Sequence, residues 1–308
     1  MAETLILAAP IEARDQPQQK ADGRWIPYTM IAPAALLLIV LILVPATLVL
    51  ATAFTDWQIG AGHANYTGLE TFRTLLSEPD FRKAVVNTVQ YVVIVVPATT
   101  VLGLFAAVLL MDVGPMARIY RAVLFMPTVA TLAAMSIAWQ MLLSPTVGAL
   151  PQIMRLLHLA PNNWLQDPDL ALTVLAVIGV WAELGFAMLF FLAGLKSIPP
   201  ELHDTAVLDG IGGFFDRLWH VTLPHLVPMT IFVVFFETVH ALRTFDTVAV
   251  ITHGGPEKST LLLLYFIYVE GFQLFRTNIA AAATVLFLLV VTAASLLQWR
   301  FAGREAQR

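Results

Sequence analysis

The chain has 308 residues, of which 58% are hydrophobic and 12% are charged, and its formal net charge is −4. A soluble domain carries about twice that charged fraction, so this composition, with a mean hydropathy of +0.78, indicates an integral membrane protein. No basic patch stands out, and nucleic acid is therefore not expected as a partner. The sequence contains no cysteine, which excludes disulfides and thiolate metal sites.

The first 24 residues begin with a mildly apolar stretch and continue as a polar run rich in proline and glutamine. They lack a basic region followed by a long apolar core, so they do not read as a cleaved signal peptide. We predict a disordered cytoplasmic tail over 1–24, a transmembrane domain over 25–303, and a short cytoplasmic tail over 304–308.

Six apolar stretches follow the tail. A helix needs about 20 mostly apolar residues to cross ~30 Å of hydrocarbon, and its backbone polar groups must be paired internally. We therefore predict an all-α membrane protein. The prolines inside the stretches predict kinks; they are Pro33, Pro45, Pro97 and Pro127. The six predicted spans are 27–54, 84–111, 119–143, 169–195, 225–250 and 278–301.

Lysine and arginine set the expected orientation. With a cytoplasmic N-terminus, ten of these residues fall on the inner side and six on the outer side. Both termini and the loop 201–224 are then cytoplasmic. The outer segments 55–83, 144–168 and 251–277 are longer than tight turns. We expect PTVGALPQIMRLLHL to form a short interfacial helix, and LLLLYFIYVEGFQLF to lie along the membrane or dip into it.

The loop between the fourth and fifth spans, ELHDTAVLDGIGGFFDRLWHVTLPHLVP, is the polar exception in this part of the chain. Proline at 199–200 suits the first turn of a helix, and the acids Glu201 and Asp204 suit its positive end. Gly210 predicts the helix end, and the two glycines at 212–213 allow a reversal into a second short helix, FFDRLWHV. Such a hairpin is too small for a core of its own, so it rests on the membrane domain or on another protein, or it is a plain amphipathic connector.

The same loop resembles the EAA loop of ABC importer permeases, here over 199–224. In this chain 204–206 (Asp-Thr-Ala) stand for the family's Glu-Ala-Ala, Gly210 for its glycine, and 221–224 (Val-Thr-Leu-Pro) for its end. Asp204 is one methylene shorter than the family's glutamate. Ten residues, rather than the family's nine, separate Gly210 from Val221. SIPPELHDTAVLDG resembles the carbohydrate branch, the maltose and glycerol-3-phosphate permease type. The segment ending in THGGPEKSTLLLLYFIYVEGF is typical of the first permease subunit of a pair, and the resemblance runs from about residue 25 to the C-terminus.

The resemblance implies a permease subunit of the cytoplasmic (inner) membrane that imports a sugar, polyol or glycerol-phosphate-like solute by alternating access. The sequence contains no G-x-x-x-x-G-K-[ST] phosphate loop, so ATP and Mg²⁺ are expected to be used by a partner ATPase. No cofactor or metal is expected in the chain itself. The implied partners are a second permease subunit, two ATP-binding cassette subunits, an extracytoplasmic solute-binding protein, the solute and membrane lipid. The implied ATPase-coupling residues are Glu201, Asp204, Thr205, Ala206, Asp209, Gly210, Leu223 and Pro224.

Ionisable side chains within predicted spans are costly and are candidates for a transport pathway. Four of them recur every three residues in the fifth span, which predicts two i,i+3 pairs, Glu237–His240 and Arg243–Asp246. These groups either contact the solute or brace the helices. The candidate pathway residues are Asn87, Tyr91, Trp139, Glu183, Glu237, His240, Arg243, Thr244 and Asp246.

The outer segment THGGPEKST is a turn signal. The resemblance places Gly254, Gly255 and Pro256 near the docking surface of the solute-binding protein, and the alternative is a plain loop. No nucleophile elbow, zinc helix or catalytic carboxylate pair is present, so an enzyme is not expected. The alternatives in function are a self-sufficient channel or ion-coupled carrier, and an ABC permease for peptides or amino acids.

Overall fold

The structure of the chain is a computed structural model that describes residues 26–111, 113–158, 163–208, 210–211 and 213–305. The predicted tail 1–24, the coupling candidate Asp209 and the end of the second tail, 306–308, lie outside the described residues. Every regular element among the described residues is helical, and extended backbone pairs only at one isolated antiparallel bridge, Thr55–Tyr66. The α-helices are α1 Ile26–Leu38, α2 Val44–Thr52, α3 Glu70–Ser77, α4 Pro79–Leu109, α5 Ala117–Val129, α6 Leu132–Leu143, α7 Ala149–Leu156, α8 Ala171–Lys196, α9 Pro200–Leu208, α10 Phe214–Arg217, α11 Leu223–Leu242, α12 Leu263–Tyr268 and α13 Thr277–Glu305.

Five helical stretches are long and apolar enough to cross a membrane, and the pair formed by α5 and α6 supplies a sixth if it counts as one span. Four of the predicted spans, 27–54, 84–111, 169–195 and 278–301, match helices to within five residues at each end. The chain is therefore an all-helical, multi-pass membrane protein.

The chain divides into two units, Met1–Leu48 and Val49–Arg308. The described part of the first unit is helical throughout and almost entirely aliphatic. A five-residue π-helical segment, Ile39–Leu43, precedes Pro45. Proline has no N–H and its ring crowds the carbonyl four residues earlier, and a widened π turn is a recognised way to absorb such a break.

The core of the second unit is built on α4 and α8, which pack along their lengths, with α11 against both. One apolar cluster joins these helices to α12 and α13 through residues such as Leu175, Phe266 and Ala282. A second cluster, which includes Met188 and Leu226, joins α4, α8 and α11. It lies nearer the segment 199–224, which we call the α9 loop. These contacts place polar groups of α4, α8 and α11 around one common space.

The predicted span over 119–143 is bent far more sharply than the kink expected at Pro127, because α5 and α6 meet at 100°. The break lies at Ala130 and Thr131, which are both extended. Pro127 removes one backbone donor, and its carbonyl accepts from Ala130 N at 3.3 Å. Thr128 then donates its hydroxyl to the Ala182 carbonyl of α8 at 2.7 Å, which fastens α5 to α8 at the bend.

The fifth span also differs from its predicted range of 225–250. Phe214–Arg217, a π-helical segment Leu218–Thr222 and α11 form one continuous helix from Phe214 to Leu242. The predicted second arm of the hairpin, FFDRLWHV, is therefore the start of this long helix and is not a separate one. At the other end the helix stops at Leu242, and helical structure resumes only at Asp246.

The outer segments carry short helices. The predicted interfacial helix is present as α7, and α12 is buried against α4 and α13, which agrees with a segment that dips inward. Thr88 of α4 accepts a hydrogen bond from Leu263 N at 2.8 Å. Arg276 forms ion pairs with Glu270 at 2.6 Å and with Glu78 at 2.8 Å. These contacts hold the segment 251–277 to the ends of α4 and α13.

Candidate functional site

A cavity of about 230 Å³, which we call the central cavity, lies between α4, α8 and α11 and the segment that follows α11. Each of these elements contributes polar side chains to its wall. Seven of the nine predicted pathway residues line it, and the other two, Asn87 and Trp139, do not. The seven are Tyr91, Glu183, Glu237, His240, Arg243, Thr244 and Asp246.

An ion pair between two helices forms one wall of the central cavity. His240 Nδ1 of α11 lies 3.1 Å from Glu183 Oε1 of α8. The Glu183 side chain is 13% exposed, whereas the His240 side chain is 45% exposed. The predicted pair between Glu237 and His240 does not form, because the imidazole turns to the neighbouring helix. The His240–Glu183 contact therefore both braces α8 against α11 and presents a charged surface to the cavity.

Glu237 is the most deeply buried acid of the cavity, with 0% exposure. Neither of its carboxyl oxygens has a hydrogen-bond partner among the described residues. The hydroxyl of Thr247, which also lines the cavity, lacks a partner in the same part of the chain. An unpaired buried polar group costs about 1–3 kcal/mol, so these two residues hold hydrogen-bonding capacity that a ligand or water can use.

Tyr91 closes the cavity on the side of α4. It is buried, and its hydroxyl lies close to the side chain of Thr244. Its ring lies against Gly179 of α8, where an added Cβ would overlap the Tyr91 hydroxyl. The glycine thus lets α8 approach α4 closely enough for the tyrosine to reach the cavity.

Arg243 and Asp246 do not form the predicted i,i+3 pair. The structure contains no ion pair between these two described residues, because α11 ends at Leu242 and Arg243 has non-helical dihedral angles, φ −92° and ψ 8°. Both charged residues nevertheless line the central cavity.

The two predicted pathway residues outside the cavity have structural contacts. The Asn87 amide donates to the carbonyls of Lys258 and Leu261 at 2.9 and 3.1 Å, which anchors the outer segment to α4. The Trp139 ring lies edge-on to Trp181 with centroids 5.4 Å apart.

Sequence reasoning missed a row of aromatic rings beside the cavity, which we call the aromatic row: Phe186 and Phe190 of α8, and Phe232 and Phe236 of α11. Phe186 stacks on Phe236 with centroids 4.0 Å apart, and Phe236 stacks on His240 at 4.9 Å. Phe186 and Phe236 line a groove of about 510 Å³ that shares Glu183, His240 and Asp246 with the central cavity. The i,i+4 spacing of Phe232, Phe236 and His240 is the signal in the sequence that would have found it.

The α9 loop is a helical arm followed by a glycine turn. α9 begins at Pro200 and ends at Leu208, and Gly210 has a φ of +84°. The Thr205 hydroxyl donates to the Glu201 carbonyl at 3.0 Å, and Ile211 N donates to the Ala206 carbonyl at 2.8 Å. Of the remaining predicted coupling residues, Asp204 lies in α9, and Leu223 and Pro224 begin α11.

Large apolar side chains project from this loop. Leu208 is 86% exposed, Phe215 is 79% exposed and Trp219 is 70% exposed. Their exposure in a loop of polar composition is unusual for a surface without a partner.

The predicted docking residues Gly255 and Pro256 line an outer cavity of about 540 Å³, together with Gln140, Met141 and Asn163. Gly254 is buried beside this cavity and has a φ of +81°.

No protein-family model matches the chain. It is 29% identical to the sn-glycerol-3-phosphate transport system permease protein of Pectobacterium atrosepticum over 282 residues, which cover 91% of this chain and 95% of the relative. It is 29% identical to a probable ABC transporter permease protein of Pyrococcus horikoshii, with 82% and 88% covered. It is 26% identical to a probable ABC transporter permease protein of Bacillus subtilis, with 92% and 99% covered.

Among solved structures, a chain of a bacterial ABC transporter involved in the import of the acidic polysaccharide alginate superimposes with a TM-score of 0.81 at 21% identity. That match covers 91% of this chain and 96% of the other. A chain from an alginate ABC transporter in complex with a periplasmic protein that carries an alginate pentasaccharide gives a TM-score of 0.80 at 20% identity, with 91% and 94% covered. This likeness concerns the fold, and the sequence relatives supply the assignment. Over 91% of its length the chain is therefore similar to ABC transporter permeases, among them a glycerol-3-phosphate permease.

Proposed function

We propose that the chain is one permease subunit of an ATP-driven, binding-protein-dependent importer, and that a sugar, polyol or sugar- or glycerol-phosphate-like solute passes through the central cavity. Six spans, counting the bent α5–α6 pair as one, put both termini on one side of the membrane, and the excess of lysine and arginine supports a cytoplasmic location for the termini and the α9 loop. The observation that carries the proposal is the α9 loop, a polar helical arm with exposed apolar side chains on a chain that has no phosphate-binding loop of its own.

The α9 loop supports coupling to a separate ATPase through its shape. Thr205 and Gly210 offer a small exposed surface, and Leu208, Phe215 and Trp219 offer apolar area that a groove on a partner would bury. The helical arm α9 is followed by the glycine turn and then by the continuous helix Phe214–Leu242. The α11 part of that helix carries Glu237 and His240. A movement of the arm is therefore transmitted to the wall of the central cavity, which is the kind of two-state element that alternating access requires.

The partners follow from the same reasoning. ATP and Mg²⁺ act in two ATP-binding cassette subunits, and a second permease subunit completes the pathway. An extracytoplasmic solute-binding protein docks at the outer cavity beside Gly255 and Pro256. The relatives named as glycerol-3-phosphate permeases, and the structural neighbour that carries a periplasmic protein with alginate, support this assembly and a carbohydrate-like solute.

Affinity purification of the tagged chain from its native membrane tests the assembly. We expect an ATPase and a second permease to co-purify, and proteoliposomes with the full set to accumulate a carbohydrate only when ATP and the binding protein are present. Proteoliposomes with this chain alone serve as the control and should accumulate nothing. Solute accumulation by the chain alone would favour the channel or ion-coupled carrier and would refute the proposal.

A further inference from the structure

The charged groups of the central cavity are mostly acidic. Three carboxyl side chains line it, those of Glu183, Glu237 and Asp246, against one guanidinium, that of Arg243. His240 is the other basic group, and its imidazole is already paired with Glu183 at 3.1 Å. With this pair set aside, two carboxyl groups, those of Glu237 and Asp246, remain available to a solute against one guanidinium.

The difference in burial between the acidic and basic side chains adds to this imbalance of charge. Glu237 is completely buried, whereas Arg243 is exposed. The free acceptors of Glu237 thus lie in the least hydrated part of the wall, where an electrostatic interaction is least screened.

The free carboxyl oxygens of Glu237 favour a ligand whose hydroxyl groups donate hydrogen bonds. Both oxygens of Glu237 lack a partner among the described residues, and a carboxyl group accepts hydrogen bonds from a hydroxyl whether or not it carries a proton. The ionised form of the group repels a negatively charged ligand, whereas an uncharged hydroxyl donor is accepted by either form. Beside the cavity, Phe186 and Phe236 of the aromatic row present apolar surface suited to the C–H face of a sugar ring.

We propose that the solute carried by this permease is a carbohydrate or polyol without negative charge, and that its hydroxyls donate to Glu237. This inference rests on the proposed function and narrows it: phosphate esters and uronic acids are excluded at the central cavity. The glycerol-3-phosphate and alginate named for the relatives are both anionic, so the inference separates this chain from them.

The test measures solute binding to the complete transporter in lipid nanodiscs without the binding protein, whose own specificity would otherwise dominate. The probes are radiolabelled mono- and disaccharides and polyols, each paired with its phosphate ester or uronic acid, in equilibrium dialysis. We expect the uncharged member of at least one pair to bind ~10-fold more tightly than its anionic form, as like-charge repulsion implies.

Two near-isosteric substitutions assign this preference to the cavity. The double variant Glu237→Gln/Asp246→Asn should bring the ratio of affinities within a pair close to one, and co-purification of the ATPase shows that it assembles. Glu70→Gln removes the same kind of charge from an exposed helix outside the cavity and should leave the ratio unchanged.

Three results would overturn the inference: anionic members that bind as tightly as their uncharged partners, an unchanged ratio in the double variant, or no binding of any probe. Uptake into proteoliposomes is scored separately. ATP-driven uptake of an anionic sugar would refute the inference and leave the importer function intact, whereas a loss of ATP dependence would refute the function itself.

Discussion

Tyr91, Glu237 and Thr247 are polar side chains buried among apolar helices. Burial of a polar group is unfavourable unless it gains a hydrogen bond, and Glu237 and Thr247 have none among the described residues. Polar groups that stay unpaired inside a membrane protein mark the path of a polar ligand more often than the core of the fold. These unpaired side chains are what a pathway for a polar solute requires.

Gly179→Ala tests how closely α8 must approach α4. A Cβ at 179 would overlap the Tyr91 hydroxyl, and overpacking of this kind costs about 1–3 kcal/mol. We expect a lower Tm in detergent and reduced uptake, because the tyrosine is displaced from the cavity wall.

Gly62→Ala is the matched control, since nothing lies within 4 Å of the added methyl group. Equal Tm values for the wild type and Gly179→Ala would contradict the proposed contact.

At the scale of single elements, the α9 arm and its turn act as one unit because Gly210 allows a left-handed backbone at φ +84°. A β-branched residue is strongly disfavoured in that conformation. The resulting strain in the turn would change the orientation of α9. The helices that cross the membrane do not depend on this turn.

Gly210→Val should therefore abolish ATP-driven uptake while the protein still inserts into the membrane. The binding protein should no longer stimulate ATP hydrolysis, or the ATPase should no longer co-purify. Gly213→Ala, in the same loop but with a φ of −77°, is the control and should retain most activity. Wild-type uptake by Gly210→Val would disprove a coupling role for the turn.

The outer segment 251–277 is a second element, and the ion pairs that hold it in place can be tested by substitution. Arg276→Met leaves the Glu270 side chain, which is 3% exposed, without its cation. Breaking a buried pair costs about 3–5 kcal/mol, and the partial exposure of Arg276 reduces this to roughly 2 kcal/mol.

Unfolding measurements on Arg276→Met and on the double variant Arg276→Met/Glu270→Met separate pairing from packing. The double variant should recover part of the lost stability, because the most buried carboxylate is gone and only Glu78, which is 21% exposed, then lacks its cation. Lys258→Met removes the more exposed Lys258–Asp80 pair and should cost less than ~1 kcal/mol. A double variant no more stable than the single one would show that the pair matters through packing alone.

The whole molecule has the surface expected of a membrane subunit with partners. Its long helices are apolar enough to span a bilayer, and large apolar side chains remain exposed on the α9 loop. The excess of lysine and arginine on one side predicts which loops stay in the cytoplasm.

Cysteine labelling tests this topology directly, because the chain contains no native cysteine. Met116→Cys, at the exposed connection before α5, should react with a membrane-impermeant thiol reagent only after the cytoplasmic side is opened. Gly62→Cys, in the first outer segment, should react in intact cells. Labelling of both positions from the same side would refute the proposed topology.

The sequence by itself determined the all-helical class, the apolar helices and the α9 loop with its glycine turn. These features are local. Hydrophobic length specifies a membrane helix whatever its neighbours are, and the helix stop at Gly210 needs only the conformational freedom of one residue. The resemblance to ABC importer permeases followed from the same loop.

Only the tertiary structure decided how the charged side chains are used. A helical repeat predicted pairs inside the fifth span, but His240 pairs with Glu183 of another helix, and Arg243 lies past the helix end. Pro127 predicted a kink, but the sequence did not give the size of the bend at Ala130, because the bend is completed by the hydrogen bond from Thr128 to α8. The physical reason is common to both cases: a partner far away in sequence competes with a local one, and packing determines which of them is within reach.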